Sequence, residues 1–237
     1  FKSALMDSAR KIAGIVKGAA SGLFSYGDIP EEEKELHFHR VELEGLAPDT
    51  DYDVQFVSDG VESQVFFFHT APAGDTPFSL IFGADSRSDR EKRSEMNTFI
   101  AGLVERSESA STPEERVIGV LHAGDYAARG TSLIQWSDWM SDHEKMVTSQ
   151  GRLIPIIPTR GNHDRGRLFN ECFGFASADE HTWYAISFGS LLRVITLNTE
   201  ASIAGDQVVW LRKELTESSP THRWVVPQYH RPGYAAV

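Results

Sequence analysis

Four apolar runs, each breaking off at a residue able to bind a metal, constrain this chain most. Phe78-Ser79-Leu80-Ile81-Phe82-Gly83-Ala84 stops at Asp85, and Val117-Ile118-Gly119-Val120-Leu121-His122-Ala123-Gly124 stops at Asp125. Leu153-Ile154-Pro155-Ile156-Ile157-Pro158 leads through Thr159-Arg160-Gly161 to Asn162-His163-Asp164, and Arg223-Trp224-Val225-Val226-Pro227-Gln228-Tyr229 delivers His230. Short apolar runs bounded by turn signals read as buried strands. Two more such runs, 182–188 and 191–197, are separated by Gly189-Ser190. Between the strands lie segments with helical spacing: 90–107 with Met96, Phe99, Ile100, Leu103 and Val104, 131–147 with Leu133, Ile134, Trp136, Trp139 and Met140, and 205–217 with Val208, Val209, Leu211 and Leu215. Alternating strands and helices predict an α/β fold with an at least partly parallel sheet. In such sheets ligands bind beyond the carboxyl ends of the strands.

Upstream the texture differs. From His37 the apolar period is two: His39 to Leu46, Tyr52 to Val57 and Ser63 to Thr70 alternate, with a turn at 47–51 and a tight-turn signal at Asp59-Gly60. Three strands with short turns make an antiparallel β unit, and His37, His39 and His69 are expected on its surface. The turn Leu46-Ala47-Pro48-Asp49-Thr50-Asp51-Tyr52 resembles the Leu-x-Pro-x-Thr-x-Tyr turn of fibronectin type III-like modules. Residues 1–22 have near-helical apolar spacing weakened by Gly14, Gly18 and Gly22. Glu31-Glu32-Glu33-Lys34-Glu35 reads as a solvated charge run. Ala71-Pro72-Ala73-Gly74-Asp75-Thr76-Pro77 has the composition of a linker and marks a domain boundary.

Composition narrows function. With 34 acidic against 23 basic residues the formal net charge is -11, which argues against nucleic acid or an anionic membrane as partner. A phosphate ester stays open as substrate, because a bound cation inverts the local field. No apolar run reaches the ~18–20 residues of a membrane span. Cys172 is the single cysteine, so no internal disulfide forms, and it lacks the basic surroundings of a nucleophile.

Asp85, Asp125, Asn162 and His230, far apart in sequence, converge if their strands are neighbours. Carboxylates, one amide oxygen and one imidazole suit Mn, Fe or Zn. A carboxylate shared by two ions makes the clamp used to hydrolyse phosphate esters. Arg87 and Arg160 flank the site, either to hold phosphate oxygens or to pair with carboxylates. His122 reads as a core histidine, His143 and His181 as surface, and Asn198 and Glu200 as ordinary loop residues after a strand, with a place beside the site as the less favoured alternative.

Gly83-Ala84-Asp85-Ser86-Arg87, Gly124-Asp125, Gly161-Asn162-His163-Asp164 and His230 resemble, in order, the motifs of the calcineurin-like metallophosphoesterases. The β unit in front makes the purple-acid-phosphatase-like branch the nearest. The resemblance implies a sandwich of mixed β-sheets flanked by helices over 77–237, preceded by a small, partial antiparallel β-sandwich over 1–73. It implies two divalent or trivalent ions (Mn, Fe or Zn) and a phosphoester substrate, small or otherwise, and the β module favours a secreted or periplasmic setting. Asp85 would bind the first ion, Asp125 bridge both, and Asn162 and His230 bind the second. His163 would contact the phosphoryl group or protonate the leaving group, Asp164 would orient it, and a metal-bound hydroxide would attack. The sequence departs from the family in four places. Arg87 stands where many relatives carry histidine, and Ala128 where purple acid phosphatases carry a tyrosine ligand. The final Gly-His-x-His has no counterpart, so the protein is expected to continue beyond Val237, and the opening strands of the β module are missing. The alternative is a non-catalytic binding protein on the same fold.

Overall fold

The computed structural model describes residues 11–17, 38–58, 60–175, 181–202 and 204–233. His37 and the charge run at 31–35 lie outside them. The N-terminal sheet contains β1 (Lys11–Lys17), β2 (Asp51–Ser58), β3 (Val61–Glu62) and β4 (Phe66–His69). β1 runs parallel to β2, whereas β3 and β4 pair antiparallel with β2. The near-helical spacing of the first residues is therefore overridden by pairing at 11–17. The alternating run His39 to Leu46 forms no strand. With β1 on one edge of β2 and β3 and β4 along the other, no unpaired edge of β2 is left for it.

Two three-stranded sheets follow. The first comprises β5 (Ser79–Gly83), β6 (Val117–His122) and β7 (Ile156–Pro158), all parallel. The second comprises β8 (Tyr184–Phe188), β9 (Leu192–Thr196) and β10 (Trp224–Gln228), with β8 antiparallel and β10 parallel to β9. Ile118, Leu121 and Ile157 of the first sheet pack on Phe188 and Val194 of the second, forming the core of a sheet-on-sheet sandwich. The outer face of the first sheet is covered by α1 (Arg90–Glu108) and α2 (Leu133–His143), and α4 (Asp206–Ser218) packs against β9. This mixed α/β arrangement matches the expected sandwich of mixed β-sheets flanked by helices.

Helix boundaries follow their caps. The Asp89 carboxylate accepts the Lys92 N–H at the start of α1, and Ser132 Oγ accepts the Gln135 N–H at the start of α2. A 3₁₀ turn, Glu144–Met146, extends α2 to nearly the expected length. The buried stripe of α1 is Arg93, Asn97, Ile100, Ala101, Val104 and Ser107, while the apolar Met96 and Phe99 face solvent. Burial of Arg93 is made affordable by Asp142, 2.6 Å away and equally buried. α3 (Leu168–Phe173) is too short to show a helical period, so the sequence gives no signal for it. It inserts Leu168 and Phe169 into an aromatic cluster with Tyr126, Trp136 and Trp139. Among the described residues no helix is long and apolar enough to cross a membrane.

The segment 71–77 is tied down: Gly74 O accepts the N–H groups of Ser190 (2.7 Å) and Leu191 (3.1 Å). The N-terminal sheet joins the sandwich through Phe67, which exchanges backbone hydrogen bonds with Gly151 (3.0 Å) and Leu153 (2.7 Å). His69 is buried, contrary to the surface placement its period suggested. Its ring nitrogens meet Asp49 Oδ1 at 2.9 Å and Asp51 Oδ1 at 2.8 Å.

Candidate metal centre

Asp85 follows β5, Asp125 follows β6, Asn162 follows β7 and His230 follows β10, so the sandwich delivers four potential ligands at strand ends. Both aspartates sit in the left-handed region, at φ 57° and 63°. Aspartate tolerates this better than most residues, and such outliers gather at functional sites. A backbone bond from Asp85 N–H to Gly124 O (2.9 Å) locks the two loops together.

Glycine at 124 and 161 is required by close approach. At Gly124, with φ 100°, a Cβ would lie 2.7 Å from Gly161 N; at Gly161 it would lie 2.3 Å from Asp125 Oδ1. Gly161 therefore lets the Asn162 loop close over the Asp125 carboxylate. His163 N–H then donates to Asp125 Oδ1 at 2.9 Å.

The ligand atoms of Asp85, Asp125 and His230 lie within 4.8 Å of one another. His230 Nε2 is 3.0 Å from Asn162 Oδ1 and 3.5 Å from Asp125 Oδ1. Its Nδ1 lies 2.8 Å from Ala123 O, a carbonyl that can only accept, so the proton belongs on Nδ1. Nε2 then faces the two oxygens Asn162 Oδ1 and Asp125 Oδ1, a donor set that a cation placed among them would satisfy. Asp125, Asn162 and His230 thus fit one ion. Between Asp85 and Asp125 the Arg87 guanidinium bridges the two carboxylates. Of the alternatives open for Arg87, it is the carboxylate pairing that is seen.

Asp164 departs from its expected place beside the His163 ring. Its buried carboxylate accepts three backbone N–H groups, from Asp125 (2.8 Å), Gly161 (2.8 Å) and Tyr126 (2.9 Å). It staples the Asp125 loop to the Asn162 loop. Burial pushes its carboxyl up to about 6, although these three amides pull it the other way. The His163 ring is oriented instead by Ala128, whose carbonyl lies 2.7 Å from Nδ1. This leaves Nε2 as the atom directed elsewhere. A backbone partner carries no side-chain signal, so sequence reasoning could not find it.

Arg160 is likewise turned to structural work. It donates to Asp164 O (3.1 Å), Asn170 Oδ1 (3.2 Å) and Gly166 O (2.7 Å), bracing the loop that carries His163. Glu200 pairs with Arg231 at 2.7 Å, and Asn198 Oδ1 accepts from the Glu200 and Ala201 amides, so both shape the loop beside His230.

A further group behind the site was hidden in the sequence. Ser86 Oγ lies 2.8 Å from His122 Nε2 and accepts the Trp139 indole N–H at 2.9 Å. Ser86 O accepts from Arg93 Nη1 at 2.7 Å. The Gly124 N–H donates to His122 Nδ1 at 3.3 Å, which makes Nε2 the protonated nitrogen. Burial lowers the His122 pKa to about 3, keeping the ring neutral as its core position suggested. His143, expected on the surface, stacks on Trp139 with centroids 3.5 Å apart, and burial lowers it to about 4.

Similarity to known proteins agrees with this geometry. The family model of the calcineurin-like phosphoesterases matches residues 100–236, more than half of the chain. No curated protein matches the chain by sequence. Among solved structures, the purple acid phosphatase PPD1 from yellow lupin (Lupinus luteus) seeds superposes with a TM-score of 0.59 at 18% identity, over 80% of this chain and 38% of that one. PhoD superposes with a TM-score of 0.56 at 14% identity, over 79% of this chain and 48% of that one. At such identities the likeness concerns the fold, and this chain spans less than half the length of either neighbour. The sequence match over more than half of its length places this chain in the calcineurin-like phosphoesterase family.

Proposed function

We propose that this protein hydrolyses phosphate mono- or diesters at a metal centre built on Asp125, Asn162 and His230, with Asp85 across from them. The observation that carries the proposal is the convergence of these groups at strand ends, with His230 Nε2 directed at Asn162 Oδ1 and Asp125 Oδ1. Family members generally use two ions, which would place Asp125 between them. An ion held by these residues would lower the pKa of water for attack near neutral pH and would offset phosphoryl charge.

The remaining groups act around that chemistry. His163, held through Nδ1, presents Nε2 to a substrate oxygen, where it contacts the phosphoryl group or gives a proton to the leaving group. Asp164 fixes the relative position of Asp125 and the Asn162 loop through three amides. Ala123 O fixes the tautomer of His230. The test is hydrolysis of nitrophenyl phosphate and bis-nitrophenyl phosphate by the full-length protein with Mn(II), before and after Asn162→Ala. Turnover that needs the metal and is lost in the variant supports the proposal; turnover that survives the variant refutes these roles. The Arg87 bridge across the two carboxylates favours the alternative of a non-catalytic binding protein, which would show no turnover with any divalent ion.

A further inference from the structure

We infer that Arg87 takes the place of the first of the two cations, so that the site binds one metal ion beside a fixed guanidinium. This rests on the metallophosphoesterase reading and refines it.

Three observations carry the inference. Arg87 Nη1 contacts Asp85 Oδ1 and Asp125 Oδ2 together, so one charged nitrogen occupies the gap between the carboxylates where a first ion would sit. A guanidinium cannot be deprotonated in a protein and offers only donors, so it satisfies both carboxylates at once. On the other side of Asp125, Oδ1 remains near His230 Nε2, with Asn162 beyond, so the second position keeps its donors.

The backbone presenting Arg87 is held rather than free to swing. Asp85 N–H is bonded to Gly124 O, and Ser86 is gripped by His122, Trp139 and Arg93. Arg93 is anchored in turn by the buried Asp142. The network around Ser86, which contributes no group to the metal position, thus has a purpose: it fixes the register of the Asp85-Ser86-Arg87 loop. The Arg87 side chain keeps 27% of its surface exposed. Its remaining N–H groups are therefore available to phosphoryl oxygens, offsetting charge that a second ion would otherwise neutralise.

The experiment is metal stoichiometry of the full-length protein after chelator stripping, titrated with Mn(II) and followed by calorimetry and electron paramagnetic resonance. Wild type is expected to take up one Mn(II) with the signal of an isolated ion. Arg87→His, which supplies an imidazole between the carboxylates, is expected to take up two with an exchange-coupled signal. Arg87→Lys, which keeps a cation there, is expected to take up one. If Arg87→His does not fold, Arg87→Ala replaces it and is expected to add a second, weaker Mn(II) binding event. Two ions in wild type would overturn the inference and leave the phosphoesterase reading intact. A single ion in every variant would also overturn it, because Arg87 would not be what excludes the other. No Mn(II) uptake by wild type or variants would overturn the inference and the reading beneath it.

Discussion

Acid should loosen this protein through His122 before it protonates most carboxylates. The ring stacks on Tyr126 with centroids 4.1 Å apart, and burial lowers its pKa from 6.5 to about 3. Its hydrogen bonds require the neutral form, because Nδ1 must accept from Gly124 N–H. The unfolded chain therefore binds a proton near pH 6.5 that the native state refuses until about pH 3. Stability must fall as pH drops through that window, by up to ~1.4 kcal/mol per pH unit. At pH 5 the loss is about 2 kcal/mol relative to pH 8, from 1.5 units below the unfolded value. Urea unfolding of wild type and His122→Gln at pH 8 and pH 5, with chelator present, measures it. Glutamine keeps a donor toward Ser86 but does not titrate, so its own pH loss should be smaller by about 2 kcal/mol. Equal losses in both proteins would refute the reasoning. The cost of the substitution at pH 8 is a separate quantity, about 1–2 kcal/mol for lost stacking and altered hydrogen bonds.

Other outcomes follow from individual contacts. Asp142→Ala leaves Arg93 buried without its counter-charge and should destabilise the fold by about 3–5 kcal/mol in denaturant titration. Gly161→Ala places a methyl 2.3 Å from Asp125 Oδ1, so calorimetry should record at least a tenfold loss of Mn(II) affinity, roughly the scale of disturbed ligand support. His163→Gln should lower kcat by ~10²–10⁴ with Mn(II) affinity little changed, if its Nε2 handles a proton. Arg160→Ala unbraces the Gly161 to Gly166 loop and should raise its amide hydrogen exchange, while Mn(II) stoichiometry stays at the wild-type value.

What could be read in the sequence was what depends on strand periodicity. Asp85, Asp125, Asn162 and His230 were legible because each follows an apolar run, and strand ends converge whatever the loops do. The sandwich and α2 followed from the same periodic signal. The stripe of α1 misled, because an Arg93–Asp142 pair rather than Met96 and Phe99 faces inward; a buried ion pair has no hydrophobic signature. The strand expected at 39–46 had the period but found both edges of β2 already paired. His69 read as surface because its burial depends on Asp49 and Asp51, distant in sequence, whereas the half-buried His143 stacks on Trp139 one turn earlier in the same helix. The same holds inside the site. Arg87 was legible as a cation near phosphate, whereas its bridge across Asp85 and Asp125 needs three dimensions. Asp164 looked like a partner for His163, but the turn at 161–164 brings its carboxylate onto backbone amides instead.

The most direct test of the central claim is metal-dependent turnover by the full-length protein carrying Asp125→Asn. The buried Asp125 carboxylate meets Arg87, the His163 N–H and His230. Amidation keeps its shape and removes its charge. The account predicts that Mn(II) restores phosphoester hydrolysis to the chelator-stripped wild type and fails to restore it to the variant, while the two unfold at comparable urea concentrations. Hydrolysis by the folded variant at the wild-type rate would contradict the assignment of a metal centre to these residues.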